Sequence, residues 1–257
     1  MKLGIENKRV LVTGASRGIG AAIAKGFLSE GAKVIIVSRG SKQLYETKES
    51  FMKEFSKEFI ISEECDCTSP KSLNLLQEKI KKKWDGIDIV VANIGDGRSV
   101  EDSLPDSEQW KQTWDKNFES ALQTARTFLP LLKESKGVLL FVSSITAMEA
   151  FGAPVDYSTA KTAVAALSKN MARKLAKEVR VNTLAPGNIY FKGGSWDEKL
   201  KSDKKKVERQ IKNTVPMKRF GTPEEVADAA LFICSDRAKF ITGSVLKIDG
   251  GQTVGIF

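Results

Sequence analysis

Seven short runs rich in Val, Ile and Leu recur along this chain, and longer stretches with helical spacing of their apolar residues lie between them. That alternation constrains the fold more than any other feature, because strands joined by helices pair in parallel and bury both faces of their sheet. A strand covered on both faces has no polar side, so it reads as a continuous apolar run. Arg9–Thr13, Lys33–Ser38, Phe59–Glu63, Ile87–Ala92, Val138–Ser143, Arg180–Leu184 and Val245–Ile248 fit this description. Helices are expected over Gly18–Glu30, Ser41–Phe55, Ser69–Lys83, Ser107–Leu132, Val155–Lys177 and Pro223–Ser235. The pattern predicts an α/β fold: one doubly wound, seven-stranded parallel sheet with helices on both faces, forming a single domain over 1–257. One connection is unusually long. The stretch at about 188–216, with Gly193-Gly194, Trp196 and many charges, reads as a lid carrying one or two short helices.

Composition removes several function classes. The chain has no His, which excludes Ser-His-Asp hydrolysis, Cys-His proteolysis and His-based metal sites. Three Cys cannot pair off into a disulfide framework, and the odd count fits a reducing cytosol. Cys65 and Cys67, without any His, make an incomplete ligand set, so no metal is expected. No run approaches the roughly 18 apolar residues of a membrane span, and a soluble cytoplasmic protein with no membrane partner is expected. The 41 basic and 32 acidic residues leave a net charge of +9. The densest basic runs, Lys79 with Lys81–Lys83 and Lys201 with Lys204–Lys206, lack interleaved aromatics and read as solvated helix faces, so nucleic acid is not an expected partner.

The first strand runs into Thr13-Gly14-Ala15-Ser16-Arg17-Gly18-Ile19-Gly20, a glycine-rich turn that opens a helix. Glycines let the backbone approach a pyrophosphate, and the helix N-terminus offers free N–H groups and partial positive charge. At the end of the second strand an NAD-selective chain usually carries an acid for the adenosine ribose. Here Val37-Ser38-Arg39 stands there, and a guanidinium suits a 2′-phosphate. Arg17 can reach the same group. The expectation is NADP(H) in preference to NAD(H).

Tyr157-Ser158-Thr159-Ala160-Lys161 places a phenol and an ammonium four apart on one helix face. At about 4 Å and an effective dielectric of about 20, that ammonium is worth up to roughly 4 kcal/mol, enough to draw the phenol from near 10 towards about 7. Ser144 ends the fifth strand at the carboxyl edge of the sheet, where such folds bind ligands.

Together the Thr13–Gly20 turn, Ser144, Tyr157 and Lys161 resemble the short-chain dehydrogenase/reductase family, in particular its members that reduce 3-oxoacyl thioesters. The resemblance implies an NAD(P)-binding Rossmann-like fold and interconversion of a carbonyl and a secondary alcohol, run as a reductase. It implies that Tyr157 donates the proton, Lys161 lowers the Tyr pKa and holds the nicotinamide ribose, and Ser144 stabilises the developing alkoxide. By the same resemblance, Asn117 holds a water of the proton relay, Asp66 with Cys67 beside it meets the adenine, and Asn93 and Gly95 follow the fourth strand. Pro186, Gly187 and Ile189 would lie along the nicotinamide, and Asp249-Gly250-Gly251 forms the C-terminal turn. Gly14, Ser16, Arg17, Gly18, Ile19, Gly20, Ser38 and Arg39 complete the expected cofactor contacts. A homotetramer or homodimer is implied, with a small ketone, a sugar or an acyl thioester on an acyl carrier protein as substrate. One departure is visible: Tyr190-Phe191-Lys192 occupies the stretch where the family often has a Thr for the carboxamide. A non-catalytic NADP(H)-binding sensor or scaffold is the alternative, but it would need no proton donor.

Overall fold

The computed structural model describes residues 2–256. Seven strands, β1 Arg9–Thr13, β2 Lys33–Ser38, β3 Ile60–Glu64, β4 Ile89–Ala92, β5 Val138–Val142, β6 Arg180–Pro186 and β7 Val245–Ile248, form one sheet in the order β3-β2-β1-β4-β5-β6-β7. Every pairing is parallel. This is the Rossmann-like α/β fold that the sequence implies. The strand order reverses between β1 and β4, so a crevice opens beyond their carboxyl ends.

Side chains alternate between two covered faces. Val10, Val12, Val34 and Ile36 pack one way, against α1 (Gly18–Ser29), α2 (Ser41–Phe51) and a C-terminal helix at Pro223–Cys234. Leu11, Ile35, Val37, Val90, Leu139 and Phe141 pack the other way, against α3 (Pro70–Trp84) and helices at Ser120–Ser135 and Val155–Leu175. In chain order the remaining helices are α4 (Ser107–Trp114), α5 (Ser120–Ser135), α6 (Val155–Leu175), α7 (Ser195–Ser202), α8 (Lys204–Thr214) and α9 (Pro223–Cys234). Local signals set their ends. Ser69 caps α3 ahead of Pro70, and Thr222 with Glu225 forms a reciprocal capping box ahead of α9.

Several expected elements are cut differently. The helix expected over Ser107–Leu132 is broken: α4 and α5 are joined by a π-helical turn at Asp115–Glu119. The cause is Asn117, whose side-chain Nδ2 donates to the Thr113 carbonyl at 2.9 Å and competes with the helical ladder. α2 stops at Phe51, because the chain must turn through Met52–Phe55 to deliver β3. β4 starts two residues later than expected, where Asp88 binds the Arg9 guanidinium at 2.8 and 2.9 Å. β6 runs on to Pro186 because β7 pairs with it that far. The long connection folds into α7 and α8, which share a small core of Val207, Ile211 and Val215 with Trp196, Leu200 and Phe220. Among the described residues no helix is long and apolar enough to cross a membrane.

Candidate active site

The glycine-rich turn is held from three sides. Asn93, just past β4, donates its side-chain amide to the carbonyls of Thr13 (3.1 Å) and Gly14 (3.2 Å), and its own N–H to Thr13 Oγ1 (3.0 Å). Thr47 of α2 donates to the Ser16 carbonyl at 2.7 Å, and Ala15 N–H donates to the Val37 carbonyl at 3.1 Å. Gly14 and Gly18 have φ of 64° and 56°, a conformation that favours glycine. Gly20 is needed for space: a Cβ there would strike the Gly14 carbonyl and lie 2.5 Å from Asn93 Nδ2. The leading amides of α1, at Gly18, Ile19 and Gly20, have no helical partner four residues back. Such a cradle fits the pyrophosphate of a dinucleotide. Gly20→Ala is therefore expected to raise KM for the dinucleotide by more than about 10-fold and to destabilise the chain by about 1–3 kcal/mol, measured by steady-state kinetics and thermal melts.

At the end of β2, Ser38 Oγ donates to the Gly40 carbonyl at 3.0 Å. Arg39 is exposed and carries no ion pair among the described residues. The Arg17 side chain reaches the lid. Its guanidinium lies 3.3 Å from the position of a Cβ on Gly193. Asp66, just past β3, is fixed by Thr68 N–H (3.0 Å) and Thr68 Oγ1 (2.8 Å). Cys67 is buried, and its thiol is engaged with Cys65. That hydrogen bond pulls Cys65 down to about 7 and pushes Cys67 up.

The proton-bearing groups gather beyond β4 and β5. Lys161 is buried, and its ammonium donates to the Val142 carbonyl at 3.1 Å. Ser143 Oγ donates to the Lys161 carbonyl at 2.8 Å and pins α6 to β5. Ser144 accepts from Thr146 N–H at 3.2 Å, and its hydroxyl favours the ionised form of the Tyr157 phenol. Lys161 Nζ lies 5.9 Å from the centroid of the Tyr157 ring. Asn117 Oδ1 accepts Asp96 N–H at 2.9 Å, and its Nδ2 donates to the Asp96 carbonyl at 3.1 Å. Gly95 makes room for the whole group: a Cβ there would stand 2.5 Å from Lys161 Nζ and 3.0 Å from Asn117 Oδ1. Gly97 covers the Tyr157 ring, a Cβ on it falling 3.7 Å away.

The electrostatics of this cluster differ from the sequence reading. Burial pushes the Tyr157 phenol above its ordinary value; the Ser144 hydrogen bond works against this, and the Asp96 charge adds to it. The expected pull of Lys161 towards about 7 does not appear. Burial penalises both ions, and the ammonium, bonded to the Val142 carbonyl, stands 5.9 Å from the ring centroid. Burial also drives Lys161 down to about 8. At neutral pH the phenol is a protonated acid beside a cation.

Residues distant in sequence close the mouth. Arg98 donates to both carboxylate oxygens of Glu198 on α7 (2.8 and 2.9 Å), to Asp96 (3.1 Å) and to the Gly193 carbonyl (3.3 Å). Arg98, then Arg17, hold the Glu198 carboxyl below the usual range. Asp197 collects Tyr190 OH (3.1 Å), Gly193 N–H (2.9 Å) and Lys201 (2.7 Å), with Lys201 foremost in bringing it down to about 2. The Phe191 ring roofs the glycine turn, a Cβ on Gly18 falling 2.6 Å from it. Trp196 packs on Phe220 at 5.3 Å inside the small core of the lid. Past Pro186, Gly187 N–H donates to the Ile248 carbonyl at 2.9 Å. Asn188 C=O and Tyr190 N–H bond to Gly221 (both 3.0 Å), which turns the N–H and C=O of Ile189 to the opposite edge. Sequence reasoning misses Arg98, Glu198, Asp96 and Gly97. The two glycines of Gly95-Asp96-Gly97 are their only local signal.

Comparison with known proteins agrees with this geometry. Residues 14–253 match the family model described as enoyl-(acyl carrier protein) reductase. The chain is 32% identical over 257 residues to the 3-oxoacyl-[acyl-carrier-protein] reductase FabG of Aquifex aeolicus, covering 98% of this chain and 100% of that one. The L-sorbose reductase of Gluconobacter frateurii, solved with NADPH and L-sorbose, superposes with a TM-score of 0.92 at 30% identity over the full length of both chains. A 7α-hydroxysteroid dehydrogenase complexed with NADH and a 7-oxo bile acid superposes with a TM-score of 0.88 at 27% identity, covering 99% of this chain and 98% of that one. With the strand order, the glycine cradle and the Ser144–Tyr157–Lys161 cluster on one sheet edge, these matches establish that the chain belongs to the short-chain dehydrogenase/reductase family and is an NAD(P)-dependent oxidoreductase.

Proposed function

We propose that this enzyme is an NADP(H)-dependent ketoreductase whose substrate is a 3-oxoacyl thioester delivered on an acidic carrier protein. The observation that carries the reading is the buried pair of Tyr157, raised by burial, and Lys161, lowered by burial, beside Ser144. When bound, the nicotinamide supplies the hydride. Tyr157 gives its proton to the carbonyl oxygen, and Ser144 Oγ hydrogen-bonds the same oxygen as negative charge grows on it. Lys161 stabilises the phenolate left behind and holds the nicotinamide ribose. Asn117 keeps the relay water that returns a proton from solvent. The lid of α7 and α8, latched by Arg98 on Glu198, excludes bulk water. A phenol that stays protonated at neutral pH favours reduction over alcohol oxidation, and it supplies a function that a mere dinucleotide sensor would not need.

Arg39, exposed and without an ion pair among the described residues, supports a 2′-phosphate contact together with Ser38. Arg39→Glu is expected to lower kcat/KM for NADPH by about 10–100-fold and to leave kcat/KM for NADH unchanged or higher, measured side by side. Asp66, the main chain at Cys67 and the amide of Ile189 are assigned to the adenine and the carboxamide. The net charge of +9 supports a carrier protein as partner. A homotetramer or homodimer in the cytosol, like other members of the family, completes the reading.

A second reading, a small polyhydroxy ketone, is favoured by the full-length superposition on the sorbose reductase. Salt separates the two. KM for a carrier-borne thioester rises steeply between low and moderate ionic strength, whereas KM for a neutral sugar stays flat. Turnover of sugars alone, insensitive to salt, removes the carrier reading.

A further inference from the structure

Beside Tyr157 lies a buried carboxylate that the mechanism above does not use. Asp156 is 1% exposed and forms no ion pair among the described residues. A buried charge without a cation is costly and persists only where neutral donors surround it. Here they do. Asp156 Oδ1 accepts the N–H of Tyr157 at 2.8 Å, and Oδ2 accepts Ser99 Oγ at 2.5 Å. Ser99 in turn accepts Gln109 Nε2 at 3.1 Å, and the same Nε2 donates to Thr113 Oγ1 at 3.0 Å. The chain of bonds continues into the site, because the Thr113 carbonyl accepts Asn117 Nδ2 at 2.9 Å. The carboxylate also sits in the first turn of α6, where the helix dipole favours an anion.

We infer that Asp156 is a positioning residue: through Ser99, Gln109 and Thr113 it locks the start of α6 to α4 and the Asn117 turn, so that proton donor and relay are held in one fixed geometry. The inference rests on the reading of Tyr157 as the acid. Three segments converge on this carboxylate: the loop after β4 through Ser99, α4 through Gln109 and Thr113, and α6 itself. Burial works to raise its pKa, but the bonds from Ser99 and Tyr157 N–H, with the Gln109 and Thr113 dipoles behind them, outweigh it and hold the group below the usual carboxylate range. Asp96, whose charge adds to the upward shift, and Lys161, 5.9 Å from the ring centroid, are charged groups that bear on the phenol.

The test uses the intact enzyme in four forms: wild type, Asp156→Ala, Asp156→Asn and Ser99→Ala. With a ketone substrate, Asp156→Ala is expected to lower kcat by about 10²-fold with KM for NADPH unchanged, as misplacement of a reacting group predicts. Asp156→Asn, which still accepts the Tyr157 N–H, recovers most of that loss. A second readout needs no turnover. The chain has three tyrosines, so carbon-13 at the ring ζ position resolves Tyr157 once Tyr157→Phe assigns it. Its titration lies above the ordinary tyrosine value in wild type and in Asp156→Asn, and falls back towards that value in Asp156→Ala as the ring loosens into solvent. Ser99→Ala moves both readouts part of the way. Titration and kcat in Asp156→Ala both matching wild type would overturn the inference, as would a drop in melting temperature alone. Shifted titration in an enzyme inactive on every ketone would preserve the positioning role and refute the assigned function.

Discussion

Replacing Tyr157 by Phe lowers the rate of ketone reduction by about 10²- to 10⁴-fold and leaves NADPH affinity unchanged. The loss is that of one general acid. The ring keeps its packing under Gly97, a Cβ there lying 3.7 Å from it. Only the hydroxyl disappears, a change of about 1 kcal/mol in stability. NADPH fluorescence on binding and NADPH oxidation at 340 nm (roughly the usual reduced-nicotinamide band) separate the two effects. A Phe variant that retained most of its turnover would remove Tyr157 from the mechanism.

Lys161→Met is expected to lower turnover by at least about 10²-fold without destabilising the protein at neutral pH. Burial brings the ammonium from its ordinary 10.5 to about 8. The folded chain therefore binds this proton less tightly than the unfolded chain, and its cost is fully present below about 8. Stability contributed through this group rises as pH climbs from about 8 towards 10.5. The difference corresponds to about 3 kcal/mol at neutral pH. Methionine removes it and loses the bond to the Val142 carbonyl, a term of about 1–3 kcal/mol in the other direction. Thermal melts of both proteins at pH 7 and pH 10 check the sign: the Met variant gains relative to wild type at the lower pH, and the gain shrinks at the higher one. In the wild type, kcat/KM for NADPH declines as Lys161 loses its charge above about 8.

The strands were readable because each is covered on both faces, as Val34, Ile35, Ile36 and Val37 show by pointing alternately into the two cores. The glycine turn was readable because its requirement is local: φ at Gly14 and Gly18, and space at Gly20, belong to the residues themselves. The π-helical turn at Asn117 was not, since one inserted residue leaves the apolar spacing on either side intact. Arg98 and Glu198 stand 100 residues apart, and nothing local links them. The direction of the Tyr157 shift failed for a related reason. Spacing put Lys161 on the same helix face, but the depth of burial and the anchor at Val142 depend on how α6 packs on β5. Asp156 has no distinguishing sequence signal, because an acid in the first turn of a helix is ordinary and only its burial sets it apart.

The most direct measurement follows the atom that the reaction moves. With NADPH deuterated at its transferable position and a 3-oxoacyl thioester or small ketone as acceptor, the alcohol formed should carry one deuterium on the former carbonyl carbon, and Tyr157→Phe should form almost none. Tight NADPH binding with no deuterium delivered to any ketone, or undiminished delivery by Tyr157→Phe, would contradict the account.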